Sequence, residues 1–162
     1  MDFSPIFIST GVVALAEIGD KTQLLSLMLA ARYPKHGWPI IWGILLATLV
    51  NHAMAAFVGH WLAGVLNPDI LRWILGLGFL AIGIWLLIPD KLDEDEKTKR
   101  VKGAWQIFVL TTGLFFLAEM GDKTQIATVM LAAQYSDWLW VVAGTTLGML
   151  LANAPVVWLG EA

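Results

Sequence analysis

Residues 15–33 read LAEIGDKTQLLSLMLAARY, and residues 117–135 read LAEMGDKTQIATVMLAAQY. The two stretches are identical at 13 of 19 positions, at an offset of 102 residues. Looser matches follow at an offset of 101, for example Gly43 with Gly144. A match of this length and spacing indicates an internal duplication, in which two copies of one structural unit make up most of the chain.

The composition around these stretches is that of a membrane protein. Of the 162 residues, 58% are hydrophobic and only 14% are charged, whereas soluble domains have about 45–50% apolar and about 25% charged residues. The net charge of -3 argues against nucleic-acid binding. There is no cysteine, which excludes disulfides, thiolate metal sites and cysteine nucleophiles.

Five apolar stretches are long enough to cross a bilayer, whose core needs about 20 helical residues. We predict spans at residues 4–32, 39–61, 70–89, 104–133 and 138–159. Most Lys and Arg residues outside them fall in the first and third loops, so the positive-inside rule places these loops in the cytoplasm and the N-terminus outside. Two of the stretches are nearly thirty residues long and carry Gly19 or Gly121 at the middle. We expect each of them to tilt, kink or unwind there.

The order of the spans predicts two halves that run in opposite directions through the membrane. The expected fold is an all-α integral membrane protein, an inverted repeat of three-helix units. Residues 1–89 would form the first repeat, residues 90–103 a charged cytoplasmic loop, and residues 104–162 a second repeat with two spans. A sixth span is expected to be missing from this chain or to come from elsewhere. Inverted repeats with interrupted helices are typical of secondary transporters, whose substrate site lies near the midplane.

Six ionisable residues lie in the middle of the predicted spans: Glu17, Asp20, Lys21, Glu119, Asp122 and Lys123. A charge at a helix centre costs about 2.5–3.5 kcal/mol on insertion scales, so these groups must meet one another or water. Positions i, i+3 and i+4 of a helix share one face, so the three residues of each motif should project together. Two crossing helices would then bring four carboxylates into one pocket.

The predicted metal ligands are Glu17, Asp20, Glu119 and Asp122. Four carboxylates and two lysines leave a charge of -2, which matches one divalent cation, and oxygen ligands suit hard ions such as Ca²⁺ and Mn²⁺. Without the cation the carboxylates would share protons, and cation entry would displace these protons. Residues that could add ligands or hold the acids in place are Lys21, Lys123, Gln23, Gln125, Thr22, Thr124, His52 and Asn153.

His52 and Asn153 occupy corresponding levels of the second and fifth spans. An interhelical hydrogen bond is the simpler interpretation of a histidine inside a span. As a ligand, His52 would favour Mn²⁺, because Mn²⁺ accepts imidazole more readily than Ca²⁺ does.

The paired E-x-G-D-K-T hexapeptides at residues 17–22 and 119–124 resemble the signature of uncharacterised protein family sixteen. That family comprises cation exchangers, including Golgi and chloroplast calcium/manganese transporters and bacterial manganese exporters. The resemblance spans nearly the whole chain and implies six transmembrane helices in two antiparallel repeats, with export of Mn²⁺, or of Ca²⁺ in some members, against protons. It carries the motif acids over as cation ligands. The compact loops resemble those of a bacterial member.

The expected function is therefore that of a bacterial inner-membrane transporter that exports Mn²⁺ by cation/proton antiport, with Ca²⁺ as the alternative substrate. Its partners would be the divalent cation, protons and the lipid bilayer, with a homo-oligomer left open. No enzymatic activity, no cofactor and no nucleic-acid partner are expected. Three other functions stay open: a divalent-cation channel, an intramembrane enzyme using paired carboxylates, and a structural membrane protein held by Glu17–Lys21 and Glu119–Lys123 ion pairs.

Overall fold

The computed structural model describes residues 3–88 and 101–161, and these are helical apart from short connections. The described helices are α1 (Ser4–Glu17), α2 (Lys21–Arg32), α3 (Gly37–Val65), α4 (Pro68–Trp85), α5 (Ala104–Glu119), α6 (Lys123–Gln134) and α7 (Trp138–Glu161). No strand occurs in this part of the chain, which confirms the all-α class. Most of the predicted loop at residues 90–103 lies outside the described residues, and the sixth span stays a prediction.

Membrane-spanning length and composition are found in three of the described helices, α3, α4 and α7. The pair α5 and α6 also passes as one span, bent by 70°. Large apolar side chains such as Phe7, Leu15, Trp73 and Trp105 are exposed, as expected where lipid rather than water covers the surface. The protein is thus a helical integral membrane protein.

The predicted spans 4–32 and 104–133 are both broken near the middle, and of the two only the second has the length and composition of one bent span. The first is divided into α1 and α2, and the second into α5 and α6. Gly19 and Gly121 lie in these breaks with φ of +74° and +75°, a left-handed conformation that glycine adopts without the penalty of a side chain. The expected unwinding at the two glycines is therefore confirmed.

Backbone geometry repeats on both sides of each glycine. The preceding residues, Ile18 and Met120, have ψ of 116° and 118°. The following residues, Asp20 and Asp122, have ψ of 162° and 160°. The duplication seen in the sequence thus extends to the local fold of the two motifs.

The broken helices of each sequence copy pack on the long helix of the other copy. Helices α1 and α2 pack mainly against α7, and α5 and α6 mainly against α3. A Cβ added at Gly43 would lie 2.7 Å from the Cβ of Thr111, and one added at Gly144 would lie 2.6 Å from the carbonyl oxygen of Ile6. Small residues let membrane helices approach this closely. The long helices therefore pack tightly against α1 and α5, the helices that lead into the two breaks.

Candidate metal centre at the two helix breaks

Three acidic side chains from the two motifs meet at the breaks. Carboxylate oxygens of Glu17, Asp20 and Asp122 lie within 4.8 Å of one another. Glu17 is the last residue of α1, whereas Asp20 and Asp122 are the N-cap residues of α2 and α6. Glu17 and Asp20 are fully buried, and Asp122 is partly exposed. We call these three residues the carboxylate cluster.

Lys123 joins the second motif to the carboxylate cluster. Its Nζ lies 3.5 Å from Oδ1 of Asp20, and both side chains are almost entirely buried. The ion pair runs from α6 to the start of α2, so it links the two copies. The interpretation as a structural membrane protein instead paired each lysine with a glutamate of its own motif. With all groups ionised, the cluster and Lys123 together carry a charge of -2. A single divalent cation would neutralise that charge.

Glu119, the fourth predicted ligand, lies outside the carboxylate cluster. It is fully buried at the end of α5, where its Oε1 accepts a hydrogen bond of 3.2 Å from Thr48 of α3. Its Oε2 has no hydrogen-bond partner among the described residues. The structure thus brings together three of the four predicted acids and places the fourth against α3.

The expectation that Glu17, Asp20 and Lys21 share one helical face is wrong. Helix α1 ends at Glu17 and α2 begins at Lys21, with Asp20 extended between them. Helical spacing holds only along an unbroken helix, and here the chain turns at Gly19. Glu17 and Asp20 meet because of that turn and not because of their i, i+3 spacing.

Gln23 and Gln125 fasten the two breaks. The Oε1 of Gln23 accepts a hydrogen bond of 2.7 Å from the backbone N–H of Gly19, and Gln125 accepts one of 2.6 Å from Gly121. Gln23 also donates to a backbone carbonyl of α7 at 3.1 Å, and Gln125 donates to Oδ1 of Asn51 at 2.6 Å. Each glutamine therefore ties its turn to the long helix of the other copy.

The two motif threonines have different partners. Thr22 donates a hydrogen bond to Oε2 of Glu17, whereas Thr124 donates to Oδ2 of Asp122 at 3.5 Å. Asn153 of α7 adds a second donor to Oε2 of Glu17, at 3.4 Å. All three predicted supporting residues thus contact acids of the cluster. Lys21 begins α2 and is partly exposed.

Sequence reasoning missed Ser26 and Thr48. Ser26 donates to Oδ1 of Asn153 at 2.7 Å, and Thr48 contacts the fourth acid as described above. Each lies one helical turn from a predicted polar residue, Ser26 after Thr22 and Thr48 before His52, which is itself fully buried in α3. Searching the apolar helices for polar residues at this i±4 spacing would have found both.

Comparisons with known proteins find related sequences that match nearly the whole chain. Residues 5–94 and 107–162 match the family model described as the divalent cation/proton antiporter GDT1. A Vibrio cholerae protein named "Putative manganese exporter" is 58% identical over 159 residues, a match that covers 98% of this chain and 77% of that protein. A GDT1-like protein of Synechocystis is 31% identical over 155 residues, covering 85% and 73%. No solved structure matches the chain.

Proposed function

Because the chain belongs to the GDT1 family of divalent cation/proton antiporters, we propose that it exports Mn²⁺ from the cytoplasm in exchange for protons. The observation that carries the proposal is the convergence of Glu17, Asp20 and Asp122, from two different motifs, on one buried point. The name of the Vibrio cholerae relative supports Mn²⁺ as the cargo.

The spacing of the cluster suits a hard divalent cation. Oxygen ligands on opposite sides of Ca²⁺ lie about 4.6–5.2 Å apart, twice the usual metal–oxygen distance. The cluster oxygens lie within 4.8 Å of one another, close enough for the three carboxylates to meet at one cation of this kind. Ca²⁺ is therefore the second candidate cargo.

Burial of the cluster explains why cation exit would be coupled to proton entry. Glu17 and Asp20 are fully buried, and a charge left uncompensated at the centre of a membrane costs about 2.5–3.5 kcal/mol. Protons that neutralise the carboxylates offset this cost once the cation has left. The site would then carry either a cation or protons, which is the exchange that an antiporter needs.

The packing of the two copies suggests how the site would reach both sides. We include in the proposal that residues 1–89 and 104–162 are inverted repeats that move against each other around the cluster, as in other transporters built from such repeats. The charge pattern of the loops supports a cytoplasmic first and third loop, with the N-terminus outside the bacterial inner membrane.

The test is Mn²⁺ uptake into proteoliposomes under an imposed pH gradient, followed with a Mn²⁺-quenched dye inside the vesicles. We expect wild-type uptake to follow the gradient. Asp20→Asn and Asp122→Asn should lower the flux at least about tenfold. Even the loss of a group that only supports a metal ligand costs about 10–100-fold in affinity or activity, and these two residues are proposed as ligands. Asp69→Asn, at an exposed position of α4, is the matched control. Equal flux in the site variants and the wild type would refute the site, and flux indifferent to the gradient would favour a channel.

A further inference from the structure

The two sequence copies place different residues at one equivalent position beside the acids. The offset of 101 residues pairs His52 of α3 with Asn153 of α7, and Asn153 lies 3.4 Å from Oε2 of Glu17. The equivalent of Glu17 is Glu119, so the same register predicts that His52 faces Glu119. Thr48 lies one turn before His52 on the same face of α3, and it already contacts Glu119 at 3.2 Å.

His52 and Glu119 both have unused ligand atoms. Among the described residues, neither ring nitrogen of His52 has a hydrogen-bond partner, and Oε2 of Glu119 has none either. Both side chains are fully buried. Buried polar groups are nearly always hydrogen-bonded, because an unsatisfied one costs about 1–3 kcal/mol. A buried nitrogen and a buried oxygen that both lack a partner favour a ligand, such as a cation, that binds to both.

A purely structural role would give His52 a different environment. Asn153, its equivalent, donates to the carbonyl of Met149 at 2.8 Å and accepts from Ser26 at 2.7 Å. These bonds hold the asparagine in the bundle without any cation. Within the described part of the chain, His52 has no comparable bonds.

We infer that His52 and Glu119 form a second cation position beside the carboxylate cluster, and that the imidazole of His52 makes this position select Mn²⁺ over Ca²⁺. Neutral imidazole is a common ligand of transition metals, whereas Ca²⁺ takes oxygen ligands. The carboxylate cluster contains only oxygen and offers no such discrimination. The inference rests on the proposed function, because it takes a divalent cation as the cargo.

Competition between the two cations tests the inference. Mn²⁺ uptake is measured in proteoliposomes with increasing Ca²⁺, for the wild type, His52→Asn and His52→Gln. We expect the preference for Mn²⁺ over Ca²⁺ to fall at least about tenfold in both variants, in the range by which altered metal sites lose affinity, while Ca²⁺ uptake is retained. His60→Asn, at an exposed position two turns further along α3, is the matched control and should keep the wild-type preference.

A spectroscopic measurement separates a ligand from a packing residue. Electron spin echo modulation of bound Mn²⁺ detects a coordinated nitrogen, which we expect in the wild type and not in His52→Asn. An unchanged cation preference in both His52 variants would overturn the inference, as would wild-type protein that binds Mn²⁺ without nitrogen coupling. Wild-type vesicles that move neither cation would instead refute the proposed function, so the two failures are distinguishable.

Discussion

Gly121 allows a quantitative test of the broken helix. Its φ of +75° lies in the left-handed region, and a Cβ added there meets no atom within 4 Å. The cost of Gly121→Ala is therefore conformational and not steric, and it amounts to about 1–2 kcal/mol for a left-handed residue with a side chain. Because Asp122 follows directly, relief of this strain would also move a cluster carboxylate.

Gly113→Ala is the matched control, because it adds the same methyl group to the same predicted span. Gly113 lies inside α5, has no positive φ, and a Cβ there also meets no atom within 4 Å. Alanine is favoured over glycine within a helix by about 0.5–1 kcal/mol. The two substitutions, eight residues apart, should therefore change stability in opposite directions.

Thermal unfolding in detergent, followed by circular dichroism, measures both effects. For a chain of this size, 1 kcal/mol shifts the Tm by about 2–4 °C. We expect Gly121→Ala to lower the Tm by about 2–8 °C and Gly113→Ala to raise it by about 1–4 °C, from the free energies above. Mn²⁺ uptake should fall only in Gly121→Ala. A Gly121→Ala protein as stable as the wild type would refute the left-handed turn.

Three further variants test the contacts around the cluster. Lys123→Gln removes the ion pair with Asp20 and should destabilise the fold by about 3–5 kcal/mol, as for other broken buried pairs. Mn²⁺ should raise the Tm of this variant more than that of the wild type, because the cation replaces the lost positive charge. Equal shifts in Tm would contradict this reasoning. Gln125→Ala removes two hydrogen bonds of 2.6 Å, so Mn²⁺ uptake should slow, whereas Gln134→Ala at an exposed site of α6 should not slow it. In the wild type, Mn²⁺ at 100 times its Kd should stabilise the fold by about 2.7 kcal/mol, and a chelator should reverse this. Glu17→Gln, which removes a proposed ligand and its charge, should show a smaller Mn²⁺-dependent rise in Tm.

The features that depend on local composition could be predicted from the sequence. A glycine between acidic residues in an overlong apolar stretch predicts a break, and Gly19 and Gly121 confirm it. Charges inside apolar spans predict convergence, because each is costly alone. Glu17, Asp20 and Asp122 do converge.

The features that depend on how helices cross could not be predicted. Lys123 pairs with Asp20 because α6 and α2 meet at the breaks, and no spacing along the chain specifies that meeting. Glu119 lies against Thr48 because α5 and α3 meet there, which the spacing along the chain does not specify either. The helical-face argument also assumed an unbroken helix through Asp20, which the left-handed turn at Gly19 rules out.

The differences between the copies bear on the transport cycle that we propose. If the two copies were identical, exchanging their roles would reproduce the same contacts, and the states open to either side would have equal energy. The equivalent acids have different partners, however: Glu17 accepts from Asn153, whereas Glu119 accepts from Thr48, whose equivalent, Met149, has no hydroxyl to donate. Each hydrogen bond contributes about 0.5–1.5 kcal/mol, and a few kcal/mol hold a minor conformer at about 0.1–10%. We therefore expect residues of the two long helices, more than the duplicated motif, to set which side the empty site faces.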